Sequence, residues 1–344
     1  MVLLEQLREW APFKIDALGL VTMLGATEVD LTVGRLVYNR YTEYVPILAG
    51  FIIAGDSITK PIPGFVLYNV TDGILATDVT GWFARWLSCQ DLTWNSSTLR
   101  ISVNRHQRST RADDFCSIIV ALSVMIPLSL MTFLTHDWWG VTNAISMLVS
   151  VVVRCMLVKQ NRVAVDRAAL DGLNMSSAMV KTFWTLPSGK AVTIHVPRGV
   201  LIQCLLTSPR PPNPQLYHAA RALGWLAFGC HIISLGMAAL VNQIISVVVL
   251  VVATVLTTWR IGCSEYRTGA RLEISRSDDN ILNESRSRAY ARLDLSPVEE
   301  DSMLAWCLFP QMSNGAWWDK YRRCKAKKDL KAFDSWGQIL AAPV

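Results

Sequence analysis

The chain has 344 residues, of which 51% are hydrophobic and 17% charged. With a mean hydropathy of +0.30, that mixture points to membrane spans joined to polar segments and excludes one large soluble core. The net charge of +6 collects beside the apolar runs and near the C-terminus, which suits anionic lipid; no nucleic-acid-binding signature accompanies it.

Residues 1–114 read as a membrane-associated unit. Val2 to Trp10 suits a short amphipathic helix ended by Pro12, and Glu5 and Arg8 interrupt its apolar pattern too early for a signal peptide. Between residues 36 and 88, two apolar stretches are broken by Arg40, Glu43, Pro46, Asp72 and Asp78. Such charges are costly at membrane depth without partners. A re-entrant, interfacial or buried segment is expected there, with an extra pair of spans as the alternative.

Residues 115–158 form a first transmembrane hairpin. Phe115 to Leu134 is apolar throughout, with Pro127 as a kink point, and Val141 to Val158 returns. The connection from Thr135 to Gly140 carries Trp138 and Trp139 and no Lys or Arg, as at a water interface. In residues 159–221, helical periodicity runs from Asn161 to Met175, and β-rich runs flank Pro187-Ser188-Gly189. These predict an amphipathic helix and a small β-hairpin over Thr182 to Val196, then a short helix from Gly199 to Leu206 and a stiff proline-rich linker. Residues 222–260 form a second hairpin, Leu223 to Val241 and Ile244 to Trp259, turning at Asn242 and Gln243.

Cations orient these spans. Four arginines precede the first, Lys159, Arg162 and Arg167 follow the second, Arg221 precedes the third, and Arg260 and Arg267 follow the fourth; neither tip carries any. By the positive-inside rule the chain is an integral membrane protein with both termini cytosolic.

Residues 261–344 read as a cytosolic basic tail, with a polar loop over residues 275–292. Ser296, Pro297 and Glu299 have the spacing of a capped helix start, so a helix should run to about Phe309. Trp317 and Trp318 then precede Lys320, Arg322, Arg323, Lys325, Lys327, Lys328 and Lys331. Two tryptophans ahead of seven cations predict a helix lying on anionic lipid, a solvated basic helix being the alternative.

Chemistry would have to come from polar groups in or near the spans. Asn143, Ser146, Ser150 and Arg154 fall within an arc of about 80° on the second span. His231, near the middle of the third, matches the depth of Thr254 on the fourth. Interhelical hydrogen bonding accounts for both groups; a ligand or proton pathway is the sharper reading. The eight cysteines include no CxxC pair, so neither a zinc site nor a disulfide framework follows. The pair His136 and Asp137 has no identifiable nucleophile beside it. With no P-loop, G-x-S-x-G, HExxH or G-x-G-x-x-G in a suitable context, no catalytic residue, metal ligand or cofactor is assigned.

His136-Asp137-Trp138-Trp139-Gly140, followed by Asn143, Ser146, Met147, Ser150 and Arg154, resembles the first hairpin of uncharacterised multi-span proteins of filamentous fungi. The resemblance implies a fungal membrane protein and carries no chemistry. The expected fold is all-α and polytopic: two transmembrane helical hairpins, at least four spans, with cytosolic segments that include a small β-hairpin. The expected function is a membrane scaffold or interaction protein that meets lipid, copies of itself or other membrane proteins. A transporter or channel subunit using the Asn143 to Arg154 face and His231, and a membrane-embedded enzyme acting on a lipophilic substrate, are the alternatives.

Overall fold

Residues 26–47, 54–92, 97–106, 111–278 and 286–327, with Glu9, are described in the structure, a computed structural model. Apart from Glu9, the helix expected over Val2 to Trp10 lies outside them, as do Lys328 and Lys331.

Eight strands form one mixed sheet: β1 (Val37–Asn39), β2 (Val66–Asn69), β3 (Ile74–Ala76), β4 (Ser97–Val103), β5 (Met179–Thr185), β6 (Ala191–Pro197), β7 (Cys263–Thr268) and β8 (Leu272–Asp278). Their spatial order is β1-β7-β8-β4-β6-β5-β2-β3. Among the described residues only β4 and β6 run parallel. The all-α expectation is therefore wrong.

The hairpin foreseen near Thr182 to Val196 exists, with β5 and β6 paired from Met179↔Pro197 to Thr185↔Ala191, but it is the middle of this sheet. Both of its faces explain why. Val180, Trp184, Val192, Ile194 and Val196 are buried on one side, and Phe183 and Ala191 on the other. A hairpin with two apolar faces needs further strands beside it and a cover on each side. The other strands escape a sequence reading because alternation such as Glu273-Ile274-Ser275 in β8 is short and polar until its partners are known.

Among the described residues the helices are α1 (Ala26–Gly34), α2 (Gly81–Ser88), α3 (Arg111–Leu134), α4 (Trp138–Met175), α5 (Arg198–Val200, continued by a π turn over Leu201–Leu206), α6 (Pro214–Met237), α7 (Leu240–Thr258), α8 (Arg286–Arg292), α9 (Pro297–Ala305) and α10 (Gly315–Lys327). Four of them, α3, α4, α6 and α7, are long and apolar enough to cross a membrane. Strands β1 to β4 precede the first apolar pair, β5 and β6 lie between the pairs, and β7 and β8 follow the second. Residues 36–88, where an extra pair of spans was the alternative, contribute β1, β2, β3 and α2 instead; residues 48–53 lie outside the described set.

Helix α4 joins two elements read as separate, the second span and the amphipathic helix after it. It has 38 residues and so a length of about 57 Å. Nothing at Lys159-Gln160 breaks a helix, since both residues propagate one well. Its first half lies in the apolar bundle, and its second half presses Val165 and Ala169 onto the sheet, beside Trp82 and Trp86 of α2 and Val200 of α5. At its end Gly172 meets Gly199 so closely that a Cβ on Gly199 would stand 1.9 Å from the Gly172 carbonyl oxygen.

The turn between α6 and α7 falls at Ala238-Ala239, earlier than the expected Asn242-Gln243. Those amides belong to the first turns of α7, where Gln243 Nε2 donates to the Ala238 carbonyl at 2.8 Å and so satisfies the end of α6. The two hairpin tips are tied together. Asp137 caps α4 by accepting from Gly140 N at 3.0 Å, and also accepts from Ala239 N and Asn242 Nδ2, each at 2.8 Å.

The C-terminal region corrects another expectation. The loop read over 275–292 begins as the end of β8 and closes as α8; residues 279–285 lie outside the described set. Trp317 and Trp318 are 3% and 6% exposed and pack with Phe309, Tyr290 and Tyr321 over Phe183 on the outer face of the sheet. They form a core rather than a membrane anchor, because Trp317, Trp318 and Tyr321 share one helical face that the sheet covers. The cations divide accordingly. Lys320 is buried, Lys325 donates to the Leu295 carbonyl and to Glu300, and Arg322 and Arg323 stay exposed. The capped start of α9 is present, with Glu299 N donating to Ser296 Oγ at 3.3 Å and Ser296 N donating to Glu299 Oε2 at 2.7 Å. The helix ends at Ala305, short of Phe309.

Two predictions follow from these contacts. Gly199→Ala should destabilise the fold by about 1–3 kcal/mol, the usual range for forced overpacking, read by thermal unfolding in detergent. Burial opposes ionisation of Glu299, but the Ser296 N–H, Lys181 and Thr71 outweigh it and hold the carboxyl below its ordinary 4.5. A depressed folded-state pKa contributes stability above the unfolded value and loses it as pH falls through the folded one. Docking of α9 should therefore weaken below about pH 4, seen as growing solvent exposure of tryptophan fluorescence, and Glu299→Gln should flatten that acid response.

Candidate functional site at the junction of the apolar helices and the sheet

Arg154, Val158, Arg162 and Asp166 recur every four residues along α4, so they share one face where the helix passes from the bundle to the sheet. Each polar member of that face holds a different piece of chain. Arg154 Nη2 donates to the carbonyls of Thr42, Glu43 and Val45, the last at 2.8 Å. Arg162 donates from Nε to the Leu36 carbonyl at 3.0 Å and from Nη2 to the Val37 carbonyl at 2.8 Å. Its Nη1 and Nη2 also grip Glu43 Oε1 and Oε2, at 2.6 and 3.2 Å. Its guanidinium lies 3.9 Å from the centre of the Tyr38 ring. Asp166 accepts from the backbone N–H groups of Ala270 and Arg271 at 2.9–3.0 Å, bracing the β7–β8 turn. Gly269 occupies that turn at φ +63°, and a Cβ there would stand 2.4 Å from Asp166 Oδ1.

The segment from Leu36 to Ile47 thus lies against α4 with its carbonyls occupied by arginines. Tyr44 fixes its other side to α3: the backbone N–H donates to Ser117 Oγ at 3.1 Å and the hydroxyl to Asp114 Oδ1 at 3.3 Å.

Beside this junction lies a cleft of about 520 Å³. Val151, Val152, Cys155, Met156 and Val163 give it an apolar wall, and Tyr38, Glu43, Tyr44, Asp114, Lys159, Arg162 and Asp166 a polar one. Burial raises the Tyr38 phenol above its ordinary pKa despite the Arg162 charge, and burial together with the Asp114 charge raises that of Tyr44. Both hydroxyls therefore remain protonated donors at neutral pH. The three carboxylates outnumber the two cations. The arrangement can bind a molecule that is apolar at one end and charged at the other; among the described residues no cluster of His, Cys, Asp and Glu could hold a metal ion.

The residues singled out from sequence are placed differently. Asn143 Nδ2 donates to Ser246 Oγ at 3.0 Å and joins α4 to α7. Ser146 bonds back to the Thr142 carbonyl of its own helix, and Ser150 is half-buried. Arg154 is 6% exposed and turns inward to the 42–45 carbonyls. His231 is half-buried on α6, and its Nδ1 has no hydrogen-bond partner among the described residues. Helix α6 lies along α4 and touches α7 only slightly, so equal depth does not unite His231 with Thr254, which donates to the Leu250 carbonyl of its own helix.

Sequence reasoning missed Tyr38, Glu43, Tyr44, Asp114, Lys159 and Asp166 as a group. One signal was present: Glu43 interrupts an apolar stretch, and a carboxylate there needs a partner. That partner, Arg162, lies 119 residues away. Comparison with protein-family models, curated proteins and solved structures finds no match for this chain.

The Arg162–Glu43 pair is buried at Arg162 and half-buried at Glu43, with side chains 6% and 14% exposed. Arg162→Met should cost about 3 kcal/mol, the lower end for breaking a buried pair, because it leaves a largely covered carboxylate uncompensated. Adding Glu43→Gln should recover part of that loss, measured by chemical unfolding of both variants in detergent.

Proposed function

We propose that the chain is an integral membrane scaffold or interaction protein that holds a β-sheet platform at one membrane surface and performs no catalysis of its own. The observation that carries this is the interleaving of the sheet. Chain segments before, between and after the two apolar pairs share it, which requires both pairs to leave and return on the same side. The dimensions support a bilayer. Trp139 and Lys159 lie 20 residues apart on α4, or about 30 Å, the thickness of a hydrocarbon core. The irregular segment over residues 42–45 is tolerable near membrane depth because Arg154 and Ser117 satisfy its backbone groups.

By the cation distribution the sheet side is cytosolic and the tips at Trp138 and Ala239 face outward. On the outer face of the sheet Arg100, Ser102, Glu273, Ser275 and Ser277 are exposed beside the C-terminal helices, a polar surface open to a protein partner or a second copy. Exposed Arg322 and Arg323 suit anionic lipid nearby, although the tryptophans before them are not available to it.

The unpaired Nδ1 of His231 favours a second reading, proton-linked solute movement. Against it, Asn143 and Arg154 are occupied in holding the bundle and its loop together.

Labelling tests the orientation, and crosslinking together with solute flux decides between the two readings. An introduced cysteine at Ser188 should resist, and one at Trp138 accept, a membrane-impermeant label on intact cells; the reverse pattern inverts the orientation. A photo-reactive residue at Ser102 or Ser275 should yield a discrete protein adduct in native membranes, while reconstituted vesicles move no solute. Solute flux that His231→Gln abolishes in a folded protein would replace the scaffold reading with transport.

A further inference from the structure

The loop after β1 walls a second, much smaller space. A cavity of about 30 Å³ lies where this loop meets α4, α7 and the start of β7, and Asn39, Thr42, Glu43, Arg154, Arg162 and Cys263 line it. One water needs roughly 10–15 Å³ of such space, so the cavity takes two waters or one monatomic ion. Phosphate, sulfate and lipid head groups are too large for it.

The walls carry one charge more than they balance. Arg162 and Glu43 neutralise each other at 2.6 Å, and Glu43 Oε2 also accepts from the Asn39 N–H at 3.3 Å. Arg154 is buried and has no ion pair among the described residues. Its Nη2 donates to three carbonyls, which supply dipoles but no counter-charge. Holding such an ion out of water costs several kcal/mol. Burial raises the Cys263 thiol above its ordinary pKa and keeps it neutral, so it is no counter-ion either. Burial alone sets this requirement, whether or not the bundle crosses a bilayer.

A second observation points into the same space. Thr42 is 4% exposed, and its hydroxyl has no hydrogen-bond partner among the described residues. Asn39 Oδ1 fixes the loop there by accepting from the N–H groups of Tyr41 at 2.9 Å and Thr42 at 3.0 Å. An unmade buried hydrogen bond costs about 1–3 kcal/mol. Water would satisfy the hydroxyl and leave the charge unbalanced, and a cation would meet two guanidiniums against one carboxylate. A small anion answers both needs.

We propose that this cavity binds a single halide ion such as chloride, held by the Thr42 hydroxyl and the Arg154 guanidinium. The ion fastens the loop after β1 to α4, so docking of the sheet edge onto the bundle depends on halide.

The full chain, purified in mild detergent, would be unfolded thermally in chloride, bromide or gluconate at one ionic strength and pH. Chloride and bromide should raise the unfolding temperature above that in gluconate, with a shift that grows with the logarithm of halide concentration above the Kd. Thr42→Val keeps the side-chain shape and removes a hydroxyl that bonds nothing else, so it should fold and need roughly tenfold more halide for the same shift, a loss of about 1.4 kcal/mol. Arg154→Met should abolish the halide effect; if it fails to fold, Thr42→Val decides. Lys190→Met, on the β5–β6 turn across the sheet from β1, removes a charge elsewhere and should leave the effect unchanged. In crystals grown with bromide, the anomalous signal should fall between Thr42 and Arg154. Equal unfolding temperatures in halide and gluconate would show that water alone fills the cavity and would overturn the proposal. So would a halide shift that Thr42→Val leaves intact, or a bromide peak only at other sites.

Discussion

The structure depends on the arginines that α4 carries out of the apolar bundle. A helix that leaves a low-dielectric region must finish every polar group of the chain it meets, since each unsatisfied group costs about 1–3 kcal/mol or more. Arg154 and Arg162 do this for residues 36–45 by donating to the carbonyls of Leu36, Val37, Thr42, Glu43 and Val45, and Glu43 balances Arg162. An arginine fits this task better than a lysine because its planar fork serves several acceptors at once and keeps its charge. Without these bonds β1 would have no fixed start, and β7, which pairs with it, would lose its edge partner.

Rigid coupling follows from the same helix. One end of α4 is capped by Asp137, which also binds the start of α7, so the two tips form one unit. The other end lies against the sheet through the backbone contact of Gly172 with Gly199 and through Asp166 at the β7–β8 turn. A displacement of the tips would be carried along α4 into the centre of the sheet, because no loop interrupts it. The packing of α6 along α4, with Gly224 against Val153, adds a second helix to the same post.

The two faces of the sheet have different partners. The inner face is covered by α2, α4 and α5, so burying it couples the sheet to the bundle. The outer face is covered over β5 and β2 by the aromatic group of Phe309, Trp317, Trp318 and Tyr321, which come from the end of the described chain. The remaining strands, β4 and β8, present Arg100, Ser102 and Ser275 outward. The C-terminal helices therefore define the limit of the open surface as well as stabilising the central hairpin.

The sequence by itself determined the apolar bundle. Uninterrupted apolar length, the cation-free tips and the capping signal at Ser296 are local quantities, and α3, α7 and the start of α9 lie near where they indicate, whereas α6 begins at Pro214, at the end of the stretch read as a linker and ahead of the expected Leu223. The β5–β6 hairpin was legible for the same reason, its β-rich runs being separated only by a short turn. Only the tertiary structure decided the sheet, because β4 pairs with β8 some 170 residues later and no local periodicity encodes that register. It also decided the fate of Trp317 and Trp318: a tryptophan pair beside cations suits a membrane surface and a sheet face equally, and the burial of Phe183 beneath them settles which. The junction cleft was invisible for the most physical of these reasons. Its charges come from three separate segments, the loop that carries Glu43, the start of α3 and the second half of α4, and their meaning lies in the partners that folding brings to them.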